Sequence, residues 1–221
     1  MMTALSLRWH RATSNRTRAN PPPTALIGPP DPPGIVLHDS DSPAVYRGIP
    51  INAAQLEKIH AKDHPDWAIT YEGKTYHIGY HYVILPDGKI EQGRPEHCPG
   101  AHARLYNDWI GVCIVGAFDA KRRRWWPSTP TLEQRQAVLT LCKELMAKYR
   151  IPPERVLRHC DVNWTKCPGS RFPYREIHDD LKAYAAAHPE IAPLVHREIP
   201  IIRPGPPDIK KAARPQNLRR P

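Results

Sequence analysis

The sequence predicts an α/β domain, a mixed central β-sheet flanked by helices, set between Pro-rich termini that build no core of their own. Three observations carry this prediction. Short apolar runs of strand length alternate with segments of helical period. One run, Ile110-Gly111-Val112-Cys113-Ile114-Val115-Gly116, is apolar on both faces, the pattern of a strand covered from two sides. Proline, 27 of 221 residues, gathers at Pro21–Pro23, Pro29–Pro33 and Pro200–Pro207, outside the patterned centre.

The elements follow in order. Gly34-Ile35-Val36-Leu37 reads as a buried strand leading into His38. Ile51 to His64 has helical spacing through Leu56 and Ile59. Tyr80–Leu85 and Lys89–Gln92, on either side of Pro86-Asp87-Gly88, read as a hairpin. Strict alternation would set Tyr80, Tyr82 and Ile84 on one face and His81, Val83 and Leu85 on the other. Thr129 is the expected N-cap of a helix opening at Pro130. That helix carries the stripe Val138, Leu141, Cys142, Leu145, Met146 and Tyr149. Arg155 to Arg158 is a short strand. A last helix from Pro173 has Tyr174, Ile177, Leu181 and Tyr184 on one side. The predicted organisation is a basic Pro-rich arm over residues 1–33, the domain over 34–196 and a basic Pro-rich tail over 197–221. The flanks lack periodic apolar residues, so they cannot offset the entropy of ordering themselves and are expected to be disordered.

Charge follows the same division. Of the formal +10, residues 1–33 hold four Arg against Asp31, and residues 197–221 hold seven Lys/Arg against Glu198 and Asp208. The centre, with 21 basic and 19 acidic residues, is nearly neutral, so attraction to polyanions is a property of the tails and no specific nucleic-acid partner is expected. Lys121-Arg122-Arg123-Arg124-Trp125-Trp126 reads as a solvated turn with two Trp folded back. The first twenty residues carry four Arg and no acid but lack a secretory apolar stretch; a disordered arm is preferred over a transit peptide. No apolar run approaches a membrane span. Five Cys (98, 113, 142, 160 and 167) form no disulfide frame and read as reduced, with Cys113 and Cys142 as small core hydrophobes.

Three residues carry candidate chemistry: His38 after the first strand, His159 after the strand ending at Arg158, and Cys167 eight positions later. Imidazole and thiolate are what a borderline-soft, tetrahedral Zn²⁺ prefers, and three protein ligands leave a fourth position for water. His10, His60, His64 and His188 read as surface or satisfied core residues. No HExxH motif is present, which counts against an ordinary zinc protease.

The motifs around these residues add a resemblance. His38-Asp39-Ser40, Ile78-Gly79-Tyr80-His81-Tyr82, Gly100-Ala101-His102-Ala103, Tyr106-Asn107, Ile110-Gly111-Val112 and Arg158-His159-Cys160-Asp161-Val162 occur in the order and spacing of the zinc-dependent N-acetylmuramoyl-L-alanine amidases. The chain resembles both the phage-lysozyme type amidases and the peptidoglycan recognition proteins, over about Gly34 to Tyr184. The resemblance implies zinc on His38, His159 and Cys167, and a catalytic Tyr80 with Thr165 as helper. It implies groove-lining roles in substrate binding for His102 and Asn107. Phage-type enzymes carry Lys two positions before the last ligand and catalytic recognition proteins carry Thr; this chain has Thr165 there and Lys166 one place later. Asp39 departs from the His, Cys or small residue often found after the first ligand.

The implied activity is hydrolysis of the amide between N-acetylmuramic acid and L-alanine in peptidoglycan or muropeptides. The protein would be a phage or prophage lysin or a wall-remodelling enzyme, a monomer made in the cytoplasm and acting at the bacterial wall. Two alternatives stand beside it: a non-catalytic peptidoglycan-binding receptor, which typically loses the thiolate ligand, and a cytoplasmic amidase recycling anhydro-muropeptides.

Overall fold

The computed structural model describes residues 30–120 and 129–191. All of these but Pro30 lie in one compact unit starting at Asp31, and Pro32 is already buried. The basic run 121–126, His10 and nearly all of the two Pro-rich flanks lie outside the described residues.

In chain order the elements are β1 (Ile35–Asp39), β2 (Val45–Tyr46), β3 (Ile49–Pro50), α1 (Ala53–Asp63), β4 (Ile69–Tyr71), β5 (Lys74–Tyr76), β6 (Tyr82–Ile84), β7 (Ile90–Gln92), β8 (Ile110–Ile114), α2 (Leu132–Tyr149), β9 (Val156–Arg158), α3 (His159–Val162) and α4 (Tyr174–Ala187). Five strands make the mixed sheet, in the order β7-β6-β8-β1-β9. Only the β6/β7 hairpin is antiparallel; β6/β8, β8/β1 and β1/β9 are parallel. The doubly apolar run is thus the middle strand, as its pattern predicts. Two small hairpins, β2/β3 and β4/β5, stand apart and were not expected; Gly48 and Gly73 take positive φ in their turns.

The period of two explains where function can sit. On β1, Ile35 and Leu37 point into the large core, with Ile110, Val112 and Ile114 of β8 and the apolar stripes of α2 and α4. Val36 points the other way, into a second cluster with Trp109 and Leu157, and His38 shares its parity. Beside it on β8, Gly111 stands opposite Val36 and Cys113 opposite His38. Ile51, Leu56 of α1, Ile78 and Val83 cover this second face. Cys113 and Cys142 are both buried and free, as predicted.

Two sequence expectations fail in detail. The N-cap of α2 is Thr131, not Thr129: Thr131 accepts from Gln134 N, and the Gln134 side chain accepts from Thr131 N, a reciprocal box that Thr129 cannot make. Tyr80 does not share a face with Tyr82. Tyr80 packs against the cluster of Ile78 and Val83, whereas Tyr82 joins the large core on the opposite side. The cause is local: consecutive carbonyls of Tyr80 and His81 accept from the consecutive amides of Arg94 and Gly93. A regular antiparallel ladder skips every second residue, so alternation is lost there.

Candidate metal centre

The site lies where strands β1 and β9 end, at the carboxyl edge of the parallel part of the sheet, the usual place for ligands in open α/β sheets. β1 delivers His38 and β9 hands directly to His159 at the start of α3. Cys167 is returned to them by a tight loop in which Cys160 N donates to Cys167 O (2.9 Å) and Gly169 N to Lys166 O (2.6 Å). Gly169 has φ +100°, and a Cβ there would sit 2.2 Å from the Phe118 carbonyl carbon, so both conformation and space require glycine. The result brings one ligand atom from each of His38, His159 and Cys167 within 4.8 Å of one another. Cys167 Sγ is 3.7 Å from His38 Nδ1, and the two imidazole centroids are 4.4 Å apart.

Hydrogen bonds orient the histidines. His38 Nε2 meets His102 Nδ1 at 3.1 Å, and His102 Nε2 meets the Trp109 carbonyl at 3.0 Å. With the Asn163 amide turned so that its nitrogen donates to Val162 O (2.9 Å), its oxygen accepts from Arg104 N (3.1 Å) and His159 Nε2 (2.8 Å). Burial, reinforced by the neighbouring His102, His159 and His81, holds His38 well below the ordinary histidine range. Burial alone brings His159 down to about 4. Both are therefore neutral at physiological pH, the form that ligates. The Cys167 thiol is pushed well up by burial and by the nearby Asp39 carboxylate. Two neutral imidazoles and a thiol that a dication would ionise are a borderline-soft donor set that fits Zn²⁺.

Asp39, the departure from the family pattern, has a structural occupation. Its backbone N donates to Cys167 Sγ (3.3 Å) and its Oδ2 accepts from Phe118 N (3.1 Å). Burial raises its pKa to about 6 against the pull of these hydrogen bonds.

Two depressions meet at the centre. One, about 600 Å³, is lined by His38, Asp39, Tyr80, Thr165, Lys166 and Cys167 among others. The second, about 650 Å³, has Trp67, Arg94, His102, Asn107 and Asn163 in its lining. Tyr80 and His159 belong to both. The Tyr80 ring is 5.2 Å from that of His38, and burial, then Cys113, Cys167 and Asp39, push its pKa well above the ordinary value, so it stays a protonated donor. Thr165 is exposed and its Oγ1 accepts from Cys167 N (3.2 Å); Lys166 is exposed, 3.6 Å from Asp119. His102 is 8% exposed. Asn107 spends its Oδ1 on the amides of His102 and Ala103 (3.0 and 3.1 Å).

Sequence reasoning missed several residues. Arg94, 2% exposed, donates to the carbonyls of Ile78, Pro99 and Trp67 and ties together three segments around the second depression. His81 accepts from Gly111 N and meets Cys98 O with its other nitrogen. His60, expected as a surface or satisfied core residue, is the latter: buried, it accepts from Gly79 N (3.0 Å) behind Tyr80. These partners come from distant segments, and no local pattern announces them.

A family profile described as N-acetylmuramoyl-L-alanine amidase matches residues 28–170. The endolysin of Enterobacteria phage T3 is 43% identical over 93 residues, 41% of this chain and 58% of that protein. The chain thus spans under two thirds of the phage relatives it matches. Peptidoglycan-recognition protein LB of Drosophila melanogaster is 28% identical over 173 residues, 74% of this chain and 69% of that one. Among solved structures, the N-acetylmuramoyl-L-alanine amidase LysC of Clostridium intestinale is 31% identical with a TM-score of 0.55, covering 69% of this chain and 86% of its own. A mutant of Drosophila recognition protein LB in complex with tracheal cytotoxin gives 27% identity and a TM-score of 0.51, over 67% of this chain and 80% of that one.

Proposed function

Starting from the chain's membership of the N-acetylmuramoyl-L-alanine amidase family, we propose that it is a zinc hydrolase cutting the amide between N-acetylmuramic acid and the L-alanine of the stem peptide. The observation that carries this reading is the grouping of His38, His159 and Cys167 beside the Tyr80 ring, where two depressions meet. Zinc on these three residues would supply Lewis-acid activation of water and of the scissile carbonyl.

The chain's own residues do the rest. Tyr80, held protonated by its surroundings, donates a hydrogen bond to the oxygen on which negative charge develops. Thr165 fixes the turn that carries Cys167 and borders the depression from the solvent side. The two depressions give the two parts of a muropeptide, sugar and peptide, a place on either side of the scissile bond. Two neutral histidines and one thiolate would carry −1, so a Zn²⁺ held by them would bring the site to +1, which suits an anionic transition state. The phage endolysins it resembles and the bound tracheal cytotoxin of the recognition protein support a role as a lysin or wall-remodelling enzyme acting on peptidoglycan. Among the described residues no helix is long and apolar enough to cross a membrane.

The test is mass spectrometry of purified sacculi and of a soluble muropeptide after incubation, with and without chelator. Released peptides beginning with free L-alanine, lost on chelation and restored by zinc, are expected. Cleavage at the glycan, or binding without products, would overturn the reading.

A further inference from the structure

His102 has both ring nitrogens engaged within the protein, and the identity of their partners dictates where the hydrogens lie. The partner of Nε2 is the Trp109 carbonyl, 3.0 Å away, which can only accept. Nε2 of His102 therefore carries its hydrogen, and in the neutral ring Nδ1 is a bare acceptor. That acceptor lies 3.1 Å from His38 Nε2, so His38 carries its hydrogen on Nε2 and keeps a lone pair on Nδ1. Nδ1 is the nitrogen that faces Cys167 Sγ. We propose that His102 is a positioning residue: through the relay from His38 Nε2–H to His102 to the Trp109 carbonyl, it sets the tautomer and ring plane of His38 and presents Nδ1 to the metal.

The surroundings are built for such a role. A Cβ on Gly111 would lie 2.5 Å from His102 Cδ2 and 2.6 Å from Cγ, and one on Gly100 would lie 2.4 Å from Cδ2. Neither glycine has the positive φ that only glycine favours, so what each supplies is room. At Gly111, inside the middle strand, a β-branched residue would serve the sheet better. That preference is given up for a slot that fits one imidazole. Asn107 Oδ1 holds the backbone amides of His102 and Ala103, fixing the ring from its other end. With its nitrogens occupied, His102 has only its carbon edge to offer the second depression, so it acts on the reaction through His38 and not through a polar contact to substrate. Such outer hydrogen-bond partners of ligating histidines typically govern metal affinity by about 10–100-fold.

The significance of the relay rests on the zinc reading above; its geometry does not. In the full-length, metal-free protein, long-range ¹H–¹⁵N correlation of the histidine rings reads each tautomer directly. We expect hydrogen on Nε2 in both His38 and His102; hydrogen on Nδ1 of His38 would overturn the proposal, with no variant required. Zinc affinity is then measured by chelator competition. His102→Phe, which fills the slot without an acceptor, should weaken zinc by about 10–100-fold, and His102→Gln, whose amide can both donate to Trp109 and accept from His38, should recover most of the loss. A folded His102→Phe that binds zinc within about twofold of the unaltered protein would overturn the relay alone. Failure of the unaltered protein to take up zinc would overturn the zinc reading itself.

Discussion

The candidate metal centre is assembled from two unlike regions. On the strand side, His38 is 1% exposed, flanked by buried His102, with its ring against Tyr80 and its neighbours fixed by the register of β1 and β8. On the loop side, His159 and Cys167 are half-buried, and Thr165 and Lys166 are exposed on a turn held by a few local hydrogen bonds. The strand side is fixed by the sheet register; the loop side is held by local hydrogen bonds and by the close approach of Gly169 to Phe118. This division suits a site whose geometry is set from the sheet and which opens to solvent on its loop side.

The largest effect should come from the loop side. Cys167→Ala should remove zinc retention and hydrolysis together while leaving the fold intact, checked by elemental analysis, circular dichroism and muropeptide cleavage. A stoichiometric zinc that survived the change would mean that the two histidines hold the metal without the thiolate. Next is the strand side: Tyr80→Phe should keep zinc and stability but lower kcat by about a hundredfold, as loss of one oxyanion donor does. Wild-type turnover would reduce Tyr80 to a packing residue. Smaller still, Thr165→Ala should cost less than about tenfold in kcat/KM, since one exposed hydrogen bond contributes about 1 kcal/mol. A loss matching that of Tyr80→Phe would place Thr165 in direct contact with the reacting atoms.

The smallest effect lies away from both sides. Burial would raise the Glu96 carboxyl, but hydrogen bonds from Lys148, Tyr149 and Tyr82 outweigh it and hold the group below its ordinary 4.5. A depressed carboxylate stabilises above its unfolded pKa, and the gain is lost as pH falls through the folded value. Unfolding midpoints of the unaltered protein should therefore drop more steeply below about pH 4.5 than those of Glu96→Gln. Parallel curves would show that the cluster has no such linkage. At neutral pH the zinc content of both should be the same, which isolates the effect from the site.

The same division governs how much could be read from the sequence. Strands and helices with a clear period were legible: the doubly apolar Ile110–Ile114 is the middle strand, and the stripe of α2 faces the large core. The cap of α2 was misplaced although Thr131-Leu132-Glu133-Gln134 carries the capping signature, because Thr129-Pro130 offered a competing one two residues earlier. Tyr80 was assigned the wrong face because a break in a ladder leaves no trace in composition. His38 and Cys167 are 129 positions apart, so no local rule could join them; only the agreement of several motifs with a known family did. His102 was legible as a family position, but its bond to His38 across 64 residues was not.

The placement of β1 bears on how the protein comes into being. Among the described residues this first strand is hydrogen-bonded to β8 and β9, where the partners of Ile35 are Ile110 and Val156, 75 and 121 positions later. At typical synthesis rates of about 5–20 residues per second, His38 exists for several seconds before Cys167 is made. An incomplete chain has no metal centre and, until β9 arrives, keeps β1 as an unpaired apolar edge, a form prone to aggregation and clearance. No fragment ending before Cys167 holds the complete donor set, so the site can form only after β9 and the loop that follows it have been made.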